Sequence, residues 1–151
     1  MLFRSGRGPL AGPVVAAAVI LPRRCRFEAL RDSKQLSEAT RARLYDEILG
    51  RAVGVGIGKA SAQEIDALNI LGATRLAMQR ALAALSQSPD ALLIDAVTLP
   101  DVPLPQRPII KGDALSRTIA AASVVAKVHR DRLMVDYHQT YPRYNFSVHK
   151  G

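Results

Sequence analysis

The feature that most constrains the fold is an uninterrupted apolar segment near the start of the chain, VVAAAVIL at residues 14–21. Pro13 and Pro22 bound this segment, and its β-branched and small residues are typical of a buried β-strand. A strand without a polar face has to be covered, so we expect helices to pack on the sheet that contains it.

Two patterns predict the first helices. Ser37 can cap a helix in which Leu44 and Ile48 fall on one face. Ser61 and Glu64 match the S-x-x-E capping box, which predicts the start of a long helix over residues 62–86. We expect its apolar stripe to consist of Ile65, Leu68, Leu76, Leu82 and Leu85.

Three later segments have the character of strands. The sequence VGVGIGKAS at residues 53–61 alternates glycine with apolar residues, and ALLIDA at residues 91–96 is short and apolar. After a proline-rich loop, IIKGD at residues 109–113 leads into a final helix over about residues 114–140. This order of elements predicts an α/β domain in which helices cover a mixed sheet.

The glycine-spaced segment has a competing interpretation as a nucleotide-binding loop. Its G-x-G-x-G pattern lacks the spacing of the dinucleotide fingerprint, and Gly58-Lys59 is followed by Ala60 where a P-loop has Ser or Thr. We therefore favour a strand that another backbone approaches closely, with a nucleotide-binding protein as the alternative.

Length and charge bound the class of protein. The 151 residues fit one domain, and 21 Lys and Arg against 13 Asp and Glu give a net charge of +8. Such an excess attracts polyanions, so nucleic acid is the first partner to expect. A basic surface that serves only solubility is the alternative.

Three features of the sequence bear on where in the cell we expect the protein. Cys25 is the one cysteine, so no internal disulfide can form and a reducing compartment is expected. No apolar run approaches the ~20 residues that cross a bilayer. Arg4 and Arg7 before an apolar stretch resemble a signal peptide, but Gly12 and Pro13 interrupt that stretch. We expect a cytoplasmic protein that does not bind membranes.

Two aspartates are candidates for chemistry. Asp95 ends an apolar strand, at the end where open α/β sheets place their ligands. Asp113 follows Gly112 and precedes a helix, where it is also a favoured N-cap. A strand-end turn residue and a helix cap are the structural alternatives, and the second is compatible with metal binding because a carboxylate has two oxygens.

Basic and hydroxyl side chains accompany these aspartates. Ser123 and Lys127 lie four residues apart and so share one helix face, where they suit a phosphate backbone. Aromatic residues make up only 5% of the chain and Trp is absent, so contact with backbone and sugar is favoured over base stacking. The three histidines lack zinc-ligand spacing. The other basic and hydroxyl residues near these aspartates are Lys34, Lys111, Ser116, Arg117 and Arg130.

Six ordered motifs resemble those of ribonuclease HII, the type 2 ribonuclease H. The resemblance covers the chain from Gly6 to Gly151. The motifs are GRGPLAGPVVAAAVILP, DSKQLSE, ALNILGATRLAM, LLIDA, IIKGDALSRTIAAASVVAKVHRDRLM and YPRYNFSVHKG.

The resemblance implies a single ribonuclease H-like domain with a five-stranded mixed sheet flanked by helices. It implies an endonuclease, expected to be monomeric, that cuts the RNA strand of RNA–DNA hybrids and single ribonucleotides in duplex DNA, in DNA replication and repair. Four carboxylates would hold two Mg²⁺ or Mn²⁺ ions, which generate hydroxide and stabilise the departing 3′-oxygen. Asp95 and Asp113 fall on the third and fourth of these carboxylates.

The resemblance also assigns substrate-binding residues. Gly6, Arg7 and Gly8 match the loop whose backbone meets the 2′-hydroxyl at the RNA–DNA junction. Three further residues match phosphate-holding positions, namely Lys34, Ser123 and Lys127.

The chain departs from the family pattern at its start. The family has Asp-Glu-Ala before the glycine–arginine–glycine turn, and that Asp and Glu are the first two metal ligands. Phe3 and Arg4 stand there in this chain, and Arg4 adds a positive charge where metal charge would gather. We therefore expect little or no cleavage by this chain, and we expect the first, central strand to be largely missing.

Both ends of the sequence are expected to be truncated relative to the family. The family continues after HKG with a tyrosine and further helical sequence. Residues 1–5 could be non-native, because the sequencing-adapter nucleotides GTG CTC TTC CGA TCT encode Met-Leu-Phe-Arg-Ser when GTG is the start codon. A non-catalytic basic module that binds hybrid or duplex nucleic acid is the alternative function.

Overall fold

The structure is a computed structural model that describes the backbone of residues 2–5, 12–27, 30, 36–110 and 116–140. Side chains are described within 12–27, 30, 36–110 and 116–136. The described residues form five strands and three helices. They are β1 (Leu2–Ser5), β2 (Val14–Ile20), α1 (Glu38–Arg51), β3 (Gly54–Ala60), α2 (Ala62–Ala83), β4 (Leu92–Asp95), β5 (Gln106–Ile109) and α3 (Arg117–Thr140).

The strands form one mixed sheet in the order β3-β2-β1-β4-β5. β2 is antiparallel to both of its neighbours, β3 and β1. β1, β4 and β5 run parallel to one another. The prediction of a mixed sheet flanked by helices is confirmed.

The first strand is present at the centre of the sheet, which corrects the expectation that it is largely missing. All four residues of β1 pair with β2, and Leu2 pairs with Ile94 of β4. The strand is short, but its backbone joins the antiparallel half of the sheet to the parallel half. The neighbours of β1 therefore keep a pairing partner, because backbone hydrogen bonding does not depend on the side chains that β1 carries.

Helices cover both faces of the sheet, as the apolar β2 segment requires. Alternate residues of β2 point to opposite faces. Val15, Ala17 and Val19 pack in one core cluster with α1 and α3, whereas Val14, Ala16 and Ala18 pack in a second cluster with α2. Every one of these six side chains is buried, so the sheet forms the middle layer of three.

The close backbone approach predicted for the glycine-spaced strand is confirmed. A Cβ on Gly58 would collide with the Ala77 carbonyl oxygen of α2, and one on Gly56 would collide with the Ala81 carbonyl oxygen. The glycines of β3 therefore let α2 lie directly on the sheet. They serve packing in this structure and line no nucleotide site among the residues described.

The predicted apolar stripe of α2 is partly wrong. The buried residues are mainly small, and Leu68 is 44% exposed. Because α2 presses on the glycines of β3, small side chains fill the interface and the leucines flank it. The buried set is Ala73, Thr74, Ala77, Met78 and Ala81, while Ile65, Leu76, Leu82 and Leu85 pack at its margin.

Helix α2 is also interrupted, which the sequence analysis did not anticipate. Asn69 has φ 58° and ψ 176°, outside the helical region. Its Oδ1 accepts a hydrogen bond of 3.0 Å from the backbone N–H of Gly72. Asn69 thus caps a second helical segment, because a short amide side chain tolerates the left-handed region and satisfies a free N–H.

Both predicted helix starts are confirmed. Ser37 accepts from the Thr40 N–H at 3.1 Å. Ser61 accepts from the Glu64 N–H at 3.1 Å, and the Glu64 carboxylate accepts from the Ser61 N–H at 3.0 Å, which completes the capping box.

The last strand lies earlier in the chain than predicted. β5 covers Gln106–Ile109 and includes Pro108, whereas the sequence analysis assigned residues 99–108 to a loop and the strand to residues 109–113. Pro108 is tolerated because β5 is at the edge of the sheet, where an N–H can be missing. Residues 111–115 lie outside the described residues, and α3 begins at Arg117.

Candidate functional site

Asp95 ends β4 in the parallel half of the sheet. Leu92 and Ile94 are buried in the cluster beneath α2, so strand alternation turns Asp95 toward the face that α1 and α3 cover. The Asp95 side chain is half-buried. Ala96 follows with φ 61° and ends the strand, while its N–H donates to the Ile109 carbonyl oxygen at 3.1 Å. This arrangement confirms the predicted strand-end position of Asp95.

The register of the parallel strands places Asp95 next to the start of the chain. Leu2 of β1 pairs with Ile94 of β4, so the next residues along the two strands are Phe3 and Asp95. On its other side Asp95 pairs with Ile109 of β5. Asp95 therefore lies on the middle one of three adjacent parallel strands, with β1 on one side and β5 on the other.

Most of the other predicted site residues lie outside the described residues. They are Gly6, Arg7, Gly8, Lys34 and Asp113. Their sequence positions can still be related to the elements that flank them. Residues 6–8 fall between β1 and β2, which pair antiparallel with Ser5 opposite Val15, and Asp113 follows Ile109 by four residues.

The chain enters β2 through a tightly packed glycine. Gly12 has φ +155°, and a Cβ there would lie 2.7 Å from the Met134 Sδ and 4.0 Å from the Arg130 Nη2. Gly12 is buried, as are Met134 and Arg130 of α3. The second half of α3 thus packs against the residue that follows the segment between β1 and β2.

Ser123 and Lys127 lie on α3 as predicted, and both are half-buried. The Lys127 Nζ lies 3.1 Å from the Asp131 Oδ1, one turn further along the helix. This ion pair was not anticipated, although the spacing of four residues between the two charges is visible in the sequence. A phosphate-holding role for Ser123 and Lys127 stays a prediction.

Two basic side chains on α3 have shifted pKa values. Burial lowers the pKa of the Arg130 guanidinium, and the neighbouring Asp131 partly opposes this shift. Burial also lowers the pKa of His129, and the positive charges of Lys59 and Arg132 act in the same direction. The shift favours the neutral form of His129, and Arg130 is a buried arginine that the sequence alone did not distinguish from a surface arginine.

A metal centre needs several ligand side chains that converge on one point. Among the described residues, no group of three or more His, Cys, Asp or Glu side chains lies close enough together to hold an ion. Asp95 is the one expected carboxylate ligand among the described residues, and Phe3 occupies the backbone position beside it on β1. The donor set in the described part of the chain does not fit a pair of divalent ions.

With this geometry in place, comparison with solved structures gives the class of protein. The crystal structure of the ribonuclease H2 from Pyrococcus horikoshii OT3 superposes with a TM-score of 0.77 and 25% sequence identity. The match covers 93% of this chain and 75% of that one. The fold is therefore that of the type 2 ribonucleases H.

Sequence comparisons identify the family. The family model of ribonuclease HII matches residues 4–151. The ribonuclease HII of Lachnoclostridium phytofermentans is 59% identical over 146 residues, which is 97% of this chain and 58% of that protein. Ribonuclease HII 1 of Methylibium petroleiphilum is 56% identical over 147 residues, or 97% of this chain and 74% of that protein. The chain belongs to the ribonuclease HII family, and it spans little more than half of the first of these relatives.

Proposed function

We propose that the whole protein is an endoribonuclease that hydrolyses the RNA strand of RNA–DNA hybrids and cuts at ribonucleotides embedded in duplex DNA. The cleavage would leave 3′-hydroxyl and 5′-phosphate ends. Family membership over nearly the whole chain supports this proposal. The observation that carries it is the half-buried Asp95 carboxylate, at the point where β1 and β5 flank the end of β4.

The chain of 151 residues is proposed to bind such duplexes but to cleave them little or not at all. Asp95 and Asp113 are two of the four carboxylates that the family uses, and two carboxylates rarely hold two divalent ions. Phe3 and Arg4 take the positions of the other two, one of them directly beside Asp95 in the strand register. We expect the positive charge of Arg4 to oppose the binding of Mg²⁺ or Mn²⁺, because Arg4 stands where the family has its second metal-binding carboxylate.

Ser123 and Lys127 are proposed to contact the phosphate backbone of the duplex from α3. The glycine–arginine–glycine turn, residues 6–8, is proposed to meet the 2′-hydroxyl at the junction. Its flanking strands β1 and β2 put its two ends beside each other, since Ser5 pairs with Val15. The net charge of +8 supports binding of a polyanion.

The cellular setting is proposed from the sequence. We propose a monomer in the cytoplasm, where the buried free thiol of Cys25 would stay reduced. No helix in the described ranges combines the length and apolar character that crossing a membrane demands.

A gain-of-function experiment tests the assignment. The double variant Phe3→Asp/Arg4→Glu restores the expected carboxylates, and we expect it to cut a DNA duplex that carries one ribonucleotide when Mn²⁺ is added. Adding Asp95→Asn to this double variant should abolish the product. The matched control Asp101→Asn removes the charge of an exposed aspartate between β4 and β5 and should leave cleavage unchanged.

Two outcomes would count against the proposal. Robust, Mn²⁺-dependent cleavage by the unaltered chain would show that its ligands are elsewhere. A folded double variant that binds the duplex but never cuts it would contradict the placement of the carboxylates beside Asp95. A non-catalytic module would also bind the duplex less tightly as the salt concentration rises. It would form no cleavage product, with or without divalent ions.

A further inference from the structure

Exposed arginines surround the turn that follows β2. Arg23, Arg24 and Arg26 lie on this turn, and Arg51 of α1 and Arg117 of α3 lie against it. All five residues are exposed, and we call this set the arginine patch. Arg51 also forms an ion pair with Glu47 at 3.0 Å. Each of the other four residues contributes a guanidinium group to the same part of the surface.

Two of these arginines fix the turn in place. The Arg51 Nη1 donates to the Arg26 carbonyl oxygen at 2.9 Å, and its guanidinium stacks 4.5 Å from the centre of the Phe27 ring. The Arg117 Nη1 donates to the Cys25 carbonyl oxygen at 2.8 Å. Helices α1 and α3 therefore both hold the turn backbone, and the side chains of Arg23, Arg24 and Arg26 extend from a supported loop.

The backbone at Arg24 adds a second indication. Arg24 has φ 61°, in the left-handed region that glycine occupies at lower cost. A residue with a long, charged side chain at such a position is a pointer to function, since the strain must be offset by the surrounding contacts. The turn thus presents a guanidinium at a place where stability alone favours glycine.

The patch is separate from the candidate cleavage site. The register puts Asp95 level with Phe3 and Ala17, in the middle of β2. The chain leaves β2 at Ile20, about 10 Å further along the strand and two strand spacings of ~4.8 Å across the sheet from Asp95. The turn after Ile20 lies on the side away from the segment that joins β1 to β2.

We infer that the arginine patch is a second contact for the phosphate backbone of duplex nucleic acid, away from the cleavage site. Guanidinium groups bind phosphate oxygens in a bidentate manner, and such contacts do not depend on base sequence or on a ribose 2′-hydroxyl. The overall charge of +8 favours a polyanionic partner of this kind. The inference goes beyond the proposed cleavage reaction because it concerns phosphates that are not cut.

The test compares two variants that each lose two charges. Arg23→Gln/Arg24→Gly removes two patch arginines, and glycine suits the backbone of residue 24. Arg43→Gln/Arg107→Gln removes two exposed arginines from α1 and β5. Binding to a fluorescein-labelled DNA duplex without ribonucleotides is measured by anisotropy across a series of salt concentrations, after circular dichroism has shown that both variants fold.

We expect the patch variant to bind about tenfold more weakly and its log–log salt slope to fall by about 2, since each lost phosphate contact removes ~0.9. The control variant should change neither quantity by a comparable amount. Equal effects of the two variants would overturn the inference. So would a patch variant that loses binding to phosphatidylserine vesicles while its affinity for the duplex is unchanged.

A second measurement separates this inference from the proposed function. The patch variant should keep the preference of the unaltered chain for a duplex with one ribonucleotide over plain DNA, because the patch contacts only phosphates. Loss of that preference would place the patch within the ribonucleotide-recognising site and overturn the inference. Failure of the Phe3→Asp/Arg4→Glu variant to cleave would instead count against the proposed function and leave the patch result standing.

Discussion

The ammonium group of Lys127 lies 3.1 Å from the carboxylate of Asp131, and both side chains are largely withdrawn from solvent, with 22% and 11% exposed. Lys127 is proposed to hold a phosphate, so in the free protein it is already neutralised by a neighbour on its own helix. A duplex phosphate has to compete with Asp131 for this lysine.

Replacing Asp131 with Asn should therefore strengthen binding to a hybrid duplex by a few-fold and steepen the salt slope by about 1. The same change should lower the free energy of unfolding by about 1–3 kcal/mol, since it removes the ion pair between Lys127 and Asp131 from a partly buried site. Anisotropy titration and urea denaturation measure the two effects. Asp136→Asn, at an exposed position of α3, is the control, and an affinity increase of similar size there would contradict the competition.

Two glycine substitutions should change the free energy of unfolding in opposite directions. One of these glycines lies in the close contact between β3 and α2, and the other lies in α1 away from any neighbour. Gly58→Ala should destabilise the fold by about 3 kcal/mol or more, because its Cβ meets the backbone of Ala77 and Ala81, which cannot yield without moving the helix. Gly50→Ala should stabilise it by about 0.5–1 kcal/mol, because Gly50 lies within α1 and a Cβ there meets nothing within 4 Å. Urea denaturation compares the two, and equal effects would contradict the packing.

The capping box of α2 makes the free energy of unfolding depend on pH in the acid range. Hydrogen bonds from Arg80, the larger cause, and from the Ser61 N–H lower the pKa of Glu64 to about 2 from its ordinary value of 4.5. Because the pKa is lower in the folded state, the stabilisation is complete above about pH 4.5 and is lost as the pH falls toward 2.

Glu64→Gln should flatten the decline of stability over this acid range, because a neutral amide can still accept from the Ser61 N–H but cannot titrate. Thermal unfolding between pH 5 and 2 measures the change. We expect the change within the pH range that lies between the two pKa values, 4.5 and about 2. Glu47→Gln breaks the exposed ion pair with Arg51 and should have little effect on stability at neutral pH. An unchanged acid limb in Glu64→Gln would contradict the role of this carboxylate.

The sequence predicted the parts of the fold that depend on local patterns. The caps at Ser37 and Ser61 follow from neighbouring residues, and the glycine spacing of β3 indicated a close backbone contact. β1 was misjudged because β2 and β4 can pair with any backbone of the right length, whatever side chains it carries. The interruption at Asn69 was missed because the residues on either side of it are good helix formers.

The candidate site was predictable to a similar degree. The strand-end position of Asp95 follows from the apolar residues before it, and its neighbours Phe3 and Ile109 come from the sheet register alone. The arginine patch could not be foreseen, because Arg51 and Arg117 reach the turn from helices that are distant in sequence. Burial of Arg130 likewise depends on how α3 packs against Gly12.

The lowered pKa of His129 leads to a prediction near physiological pH. Burial, and then the charges of Lys59 and Arg132, lower its pKa in the folded protein below the ordinary value of 6.5. The unfolded chain therefore binds a proton at a higher pH than the folded protein does. Stability that is fully present above about pH 6.5 should decline as the pH falls below that value.

His129→Gln should remove this decline between pH 7 and 5, because glutamine does not titrate. Lys59→Met should reduce the decline without abolishing it, since burial of the imidazole is the larger cause and would remain. Urea denaturation at half-unit steps of pH measures both slopes. If the slope between pH 7 and 5 is the same in His129→Gln as in the unaltered chain, another group is responsible and the environment assigned to His129 is wrong.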